Sequence, residues 1–214
     1  IRSRQLRIFG LRESEISQRL IDLKTEYPTV RVGYFPSFPE THLTLTVQTS
    51  TAAAADTILE AAVQAVVARL GLHVYGEGDD TLAMVVGRLL LERGQTLTIA
   101  ESCTGGLIAH LITNVPGSST YFDQSMVTYS ETAKVLHLSV PPELIAQHGV
   151  VSAQVAEAMV RGLQRENKTR VLLAVTGLGG PTGGSPEKPI GTVFIALLYD
   201  KNFRVEGLQL RGER

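Results

Sequence analysis

The seven residues Ala100-Glu101-Ser102-Cys103-Thr104-Gly105-Gly106 constrain this chain more than any other stretch, because they hand a strand directly over to a helix. Leu97-Thr98-Ile99-Ala100 reads as a short buried strand, and from Leu107 the apolar residues Leu107, Ile108, Leu111 and Ile112 recur at helical spacing. The segment between therefore occupies a helix N-terminus. There, unpaired backbone N–H groups and the positive end of the helix dipole favour an anion or a developing oxyanion, and paired glycines let a ligand approach the backbone. Ser102, Cys103 and Thr104 add two hydroxyls and a thiol, which predicts chemistry on a polar or phosphorylated small molecule. Ser and Thr before a helix also serve as simple caps. The stretch matches neither the GxSxG nucleophile elbow nor a Walker A loop with its Lys.

Three downstream segments support a ligand site. Val115-Pro116-Gly117-Ser118-Ser119 leads to Val127-Thr128-Tyr129-Ser130-Glu131-Thr132-Ala133-Lys134, where a strand at Met126 to Tyr129 meets a helix starting at Ser130. Val171-Leu172-Leu173-Ala174-Val175-Thr176 is a continuous apolar strand that runs into Gly177-Leu178-Gly179-Gly180-Pro181-Thr182-Gly183-Gly184, a loop shaped for backbone contact with a ligand. Glu187-Lys188-Pro189-Ile190-Gly191-Thr192 then enters a strand over Val193 to Tyr199.

The polar run Gly76-Glu77-Gly78-Asp79-Asp80 marks a linker at 76–80. Before it, the pattern predicts strands at 6–9, 30–35, 43–47 and 73–75, with helices at 13–27 and 52–70, hence a small α+β domain over 1–75 with two helices on one sheet face. After it, over 81–214, a helix at 81–92 and one from Ser152 to about 166 alternate with strands at 96–100, 126–129, 171–176, 193–199 and 204–210. That order predicts a three-layer α/β/α domain with glycine-rich loops at strand ends, where ligands bind in such sheets.

A net charge of −1 with 19% charged residues gives no basic surplus for nucleic acid. One Cys excludes an internal disulfide and suits a reducing compartment. No apolar run approaches the ~18 residues of a membrane span and no signal peptide is visible, so a cytoplasmic protein is expected, and no clustered spacing suggests metal ligands.

Residues 81 to 214 resemble the C-terminal domain of the CinA (competence/damage-inducible) family. The resemblance rests on AESCTGG at 100–106, VPGSS at 115–119, VTYSETAK at 127–134, HGVVS at 148–152, VTGLGGPTGG at 175–184 and EKPIGTV at 187–193. Enzymatic members are nicotinamide mononucleotide deamidases. The resemblance implies hydrolysis of the carboxamide to nicotinic acid mononucleotide and ammonia, with no metal or cofactor, by a homodimer. It implies Ser102 as nucleophile, Tyr129 and Lys134 as its activators, and substrate contacts from Glu101, Thr104, Gly105, Gly106, Thr176, Gly177, Gly179 and Arg214. In the family a KH-like domain precedes this one, itself preceded by a molybdopterin-binding-like domain, and a final helix follows position 214. Residues 1–75 contain no GXXG loop, so RNA binding is not supported.

The residues allow the same chemistry on their own terms. Amide hydrolysis needs a nucleophile, a proton acceptor for it and donors for the oxyanion. His110, His137 and His148 lie outside the segments carrying Ser102, Tyr129 and Lys134. Lys and Tyr titrate ordinarily near about 10, so one of them has to be depressed to act as base near neutrality, and Lys134 beside Tyr129 would lower the phenol by charge. Cys103 competes with Ser102, since a helix N-terminus can activate a thiol. A catalytically silent ligand-binding or assembly module is the alternative to an enzyme.

Overall fold

The computed structural model describes residues 1–166 and 169–210. The chain divides into two compact units, Ile1–Val85 and Val86–Arg214.

The first unit runs β1 (Arg2–Phe9), α1 (Glu13–Arg19), α2 (Leu23–Glu26), β2 (Val30–Ser37), β3 (Glu40–Val47), α3 (Ala52–Leu70) and β4 (Val74–Glu77). Its antiparallel sheet has the order β2-β3-β1-β4. Alternation decides which face is covered. Leu43, Leu45 and Val47 of β3 and Leu6 and Ile8 of β1 point to one side, where Leu59, Ala62, Val63 and Val66 of α3 bury them. α3 starts where Thr51 accepts the Ala54 N–H, the local signal for an N-cap.

The single helix expected over 13–27 is two short helices. Leu20, Leu23 and Ile16 are all buried against α3, and the turn at 20–22 brings Leu20 and Leu23 into the core while Ile21 stays outside. Periodicity alone could not show this break, because no Gly or Pro marks it. The polar stretch 76–80 begins as strand: Gly76 and Glu77 pair with Arg7 and Leu6.

The division falls within α4 (Leu82–Glu92), and the second unit continues with β5 (Leu97–Glu101), α5 (Leu107–Thr113), β6 (Phe122–Val127), α6 (Glu131–Leu138), α7 (Pro142–His148), α8 (Ala153–Glu166), β7 (Val171–Gly177), β8 (Thr192–Tyr199) and β9 (Asn202–Gln209). The sheet order is β6-β5-β7-β8-β9, parallel across β6, β5 and β7 and antiparallel from β7 to β9. Helices link the parallel strands. A loop alone links β7 to β8, so the chain returns beside itself as a wide hairpin.

The buried strands β5 and β7 carry apolar residues on both faces, as a covered sheet requires. Leu97, Ile99, Val171 and Leu173 meet Leu90, Ile112 and Tyr121 on one side. Ala100, Leu172 and Ala174 meet Val155, Met159 and Leu163 of α8 on the other, together with Leu138 and Ile145. This is the expected three-layer arrangement. Gly162 lets α8 lie against the end of α6, since a Cβ there would overlap the Leu138 carbonyl.

Two local differences bear on the site. The strand expected at 126–129 is β6, which starts at Phe122 and ends at Val127, so Thr128 and Tyr129 lie on the connection to α6. α7, which the periodicity did not reveal, starts with Pro142 in its first turn, a position where the missing N–H costs nothing.

Candidate active site

Ser102 sits immediately beyond β5 and is nearly buried. Facing it is Lys134. Ser130 caps α6 by accepting the Ala133 N–H, and Lys134 and Leu138, one turn apart, are the residues of this helix that point inward. Lys134 is 0% exposed, which rules out the solvated charge that a lysine on a short polar helix ordinarily represents. Its Nζ lies 2.9 Å from Ser102 Oγ, 2.6 Å from the Thr128 carbonyl and 3.4 Å from the Tyr129 carbonyl. Burial pushes the Lys134 pKa below the ordinary lysine value, an effect partly offset by nearby Cys103 and Glu131.

The three partners define what this amine can do. Two are carbonyl oxygens, which only accept, so they take two N–H groups. Ser102 is a hydroxyl and can also donate. When Lys134 is neutral its two remaining hydrogens satisfy the carbonyls, and its lone pair is left for the Ser102 proton.

Glu101 departs from the expected substrate contact. Its side chain is fully buried, and its carboxylate accepts the N–H groups of Gly106, Ile108 and Ala109 and the Ser125 hydroxyl. The Leu107 N–H goes to the Thr104 carbonyl. The start of α5 is thus already occupied by the protein's own anion, and the N-terminal anion site expected from the sequence is filled from within. An acidic residue just ahead of the helix was the available signal. The Glu101 main chain does further work by accepting the Thr128 N–H at 2.8 Å, which sets the carbonyl that Lys134 binds.

Gly105 and Gly106 are explained by backbone shape: both hold positive φ, 61° and 98°, in the turn between β5 and α5. Thr104 keeps a buried hydroxyl with no partner among the described residues.

A pocket of about 210 Å³ joins Ser102 and Cys103 to Tyr129, to Val150 and Val151, and to the loop from Thr176 and Gly177 through Gly179. Thr176 is buried and donates to the Val150 carbonyl, tying the end of β7 to the 148–152 segment. Gly177 has no room for a side chain: a Cβ would meet Val193 at 2.8 Å and the Cys103 sulfur at 3.0 Å. Tyr129 is 58% exposed, and Lys134 contacts its main-chain carbonyl. Lys134 thus reaches Ser102 directly, with no need of the phenol between them. Arg214, expected to contact substrate, lies outside the described residues.

Thr128, Val150, Val151 and Lys188 belong to the site region without having been singled out for it. Lys188 donates to the His148 carbonyl. Larger clefts of about 710 and 880 Å³ lie in the first unit, yet neither is lined by a paired nucleophile and base. Among the described residues no group of three or more His, Cys, Asp or Glu could hold a metal ion, and no helix is long and apolar enough to cross a membrane.

Comparison with known proteins gives the site a lineage. The CinA C-terminal domain model matches residues 79–214, and the KH domain model of damage-inducible protein CinA matches residues 3–76. The chain belongs to the CinA family. A CinA-like protein of Desulfotalea psychrophila is 43% identical over 211 residues, covering 99% of this chain and 51% of the relative. One from Geobacter metallireducens is 45% identical, covering 100% and 52%. This CinA-family chain therefore spans about half the length of those relatives. Among solved structures, the competence/damage inducible protein CihA of Agrobacterium tumefaciens is 38% identical with a TM-score of 0.58, over 60% of this chain and 78% of that one. A CinA superfamily protein of Escherichia coli is 30% identical with a TM-score of 0.59, over 62% and 77%.

Proposed function

We propose that this chain is an amidohydrolase that converts nicotinamide mononucleotide to nicotinic acid mononucleotide and ammonia. The observation that carries the reading is the buried contact of 2.9 Å between Lys134 Nζ and Ser102 Oγ at the floor of a pocket. A hydroxyl is a weak nucleophile until a base takes its proton, and a lysine becomes a base when burial lowers its pKa.

The steps follow from the groups present. Neutral Lys134 removes the Ser102 proton as Oγ attacks the carboxamide carbon, giving a tetrahedral intermediate. Lys134 returns the proton to the amide nitrogen, the C–N bond breaks and ammonia leaves. Water then attacks the acyl-Ser102 ester with Lys134 again as base, which releases the carboxylate and restores the serine. Tyr129 lines the pocket mouth and serves the substrate side of the reaction. The Thr128 and Tyr129 carbonyls hold Lys134 in place throughout.

The same proposal includes a homodimer working in the cytoplasm, with 81–214 as the deamidase domain and 76–80 joining it to the KH-like unit. The test is ammonia release from the mononucleotide by the parent protein and by Ser102→Ala. Turnover that the substitution abolishes supports the reading. A parent that binds nicotinic acid mononucleotide but releases no ammonia would instead make this a ligand-binding module.

A further inference from the structure

We propose that Lys188 binds the phosphate of the substrate and so selects phosphorylated over unphosphorylated amides; this rests on the amidohydrolase reading above. The pocket beside Ser102 holds about 210 Å³, below the ~300 Å³ at which sites for whole small molecules begin. It accommodates the carboxamide end of a nucleotide and leaves the anionic end outside. None of the described residues lining it is charged. Lys134 is fully buried behind Ser102, with its amine committed to Ser102 and to the Thr128 and Tyr129 carbonyls. The start of α5 is filled by Glu101.

Lys188 stands where the remaining charge is needed. It lies on the loop from β7 to β8, whose Leu178, Gly179 and Thr182 form one wall of the pocket. Its ammonium reaches across to the opposite wall and donates to the carbonyl of His148, two residues before the pocket-lining Val150. Among the described residues that one bond leaves two N–H donors on a partly exposed cation. The loop is organised to present it: the Lys188 N–H donates to Ser185 Oγ and the Ser185 N–H to the Lys188 carbonyl. The neighbouring acid, Glu187, accepts the Ser185 hydroxyl. On the far side Gly149 holds a φ of +74°, and a Cβ there would stand 3.3 Å from Lys188 Nζ, so both the turn and the room beside the ammonium call for glycine.

The experiment compares the parent, Lys188→Met and Lys188→Arg on nicotinamide mononucleotide and nicotinamide riboside, with calorimetric titration of ribose 5-phosphate as a readout that needs no turnover. Lys188→Met is expected to raise KM for the mononucleotide by about tenfold or more with kcat little changed, as loss of a charged ground-state contact does. Riboside kinetics should stay as in the parent, ribose 5-phosphate affinity should fall, and Lys188→Arg should restore much of both. Equal losses on the two substrates with unchanged ribose 5-phosphate affinity would overturn the assignment and leave Lys188 as a tie between loops. If the parent turns over neither amide, the amidohydrolase reading fails, and the titration still decides whether Lys188 holds phosphate.

Discussion

Lys134 and Ser102 meet at 2.9 Å, both buried, one from the second turn of α6 and the other from the end of β5. A lysine in that position is costly to charge, and both its titration and its chemistry follow from that cost.

The first consequence is a pH profile. Lys134 must be neutral to accept the Ser102 proton, and its pKa lies below the ordinary 10.5. The account predicts kcat/KM rising with pH along a single acidic limb whose midpoint falls below that value. Ser102 variants cannot report it, so the profile is read on the parent and on Cys103→Ala, which should share it.

Stability carries the same signature. With the folded-state pKa depressed, the unfolded chain binds more protons between that value and about 10.5, so unfolding free energy rises with pH across this window. Below the folded value the increment is absent, because both states are protonated. Denaturant unfolding at a series of pH values should show the rise in the parent, and Lys134→Met should lose it.

Ser102 and Cys103 are adjacent and line the same pocket, so the nucleophile must be tested by where the acyl group forms. Mass spectrometry of the enzyme quenched during turnover should place it on Ser102. Cys103→Ala should retain a rate within about tenfold, ~1.4 kcal/mol on the barrier. An adduct on Cys103, or a dead Cys103→Ala with an active Ser102→Ala, would replace the mechanism with a thiol one.

Glu101→Ala should destabilise the second unit by about 3 kcal/mol, since it strips a buried carboxylate from three N–H groups and a hydroxyl. Glu101→Gln, which keeps the acceptor oxygen, should recover part of that loss. Unfolding midpoints for the two variants check it; a midpoint for Glu101→Ala equal to the parent's would contradict the assigned role.

Much of the architecture was legible because its strands and long helices carry unambiguous periods. The alternation of Thr41, Leu43, Leu45 and Val47, the two-sided apolar run at 171–176 and the caps at Thr51, Ser130 and Ser152 are all local signals. The break at Leu20 and the end of β6 before Thr128 were not legible, since tertiary packing sets both. In the site, Ser102 and Lys134 were identifiable as residue types in motifs, but their contact depends on Lys134 pointing inward, which an exposed-looking helix sequence conceals. Glu101 misled for a related reason. A carboxylate beside a glycine turn reads as a ligand contact until the fold shows three N–H groups converging on it.

The most direct measurement is ammonia release from nicotinamide mononucleotide by three purified proteins at one pH: the parent, Ser102→Ala and Lys134→Met. The account predicts steady turnover by the parent and a loss of at least a hundredfold in kcat for each variant, about 2.7 kcal/mol or more on the barrier, with both still folded by circular dichroism. Turnover by folded Lys134→Met at the parent's rate would contradict the claim that this buried lysine activates Ser102.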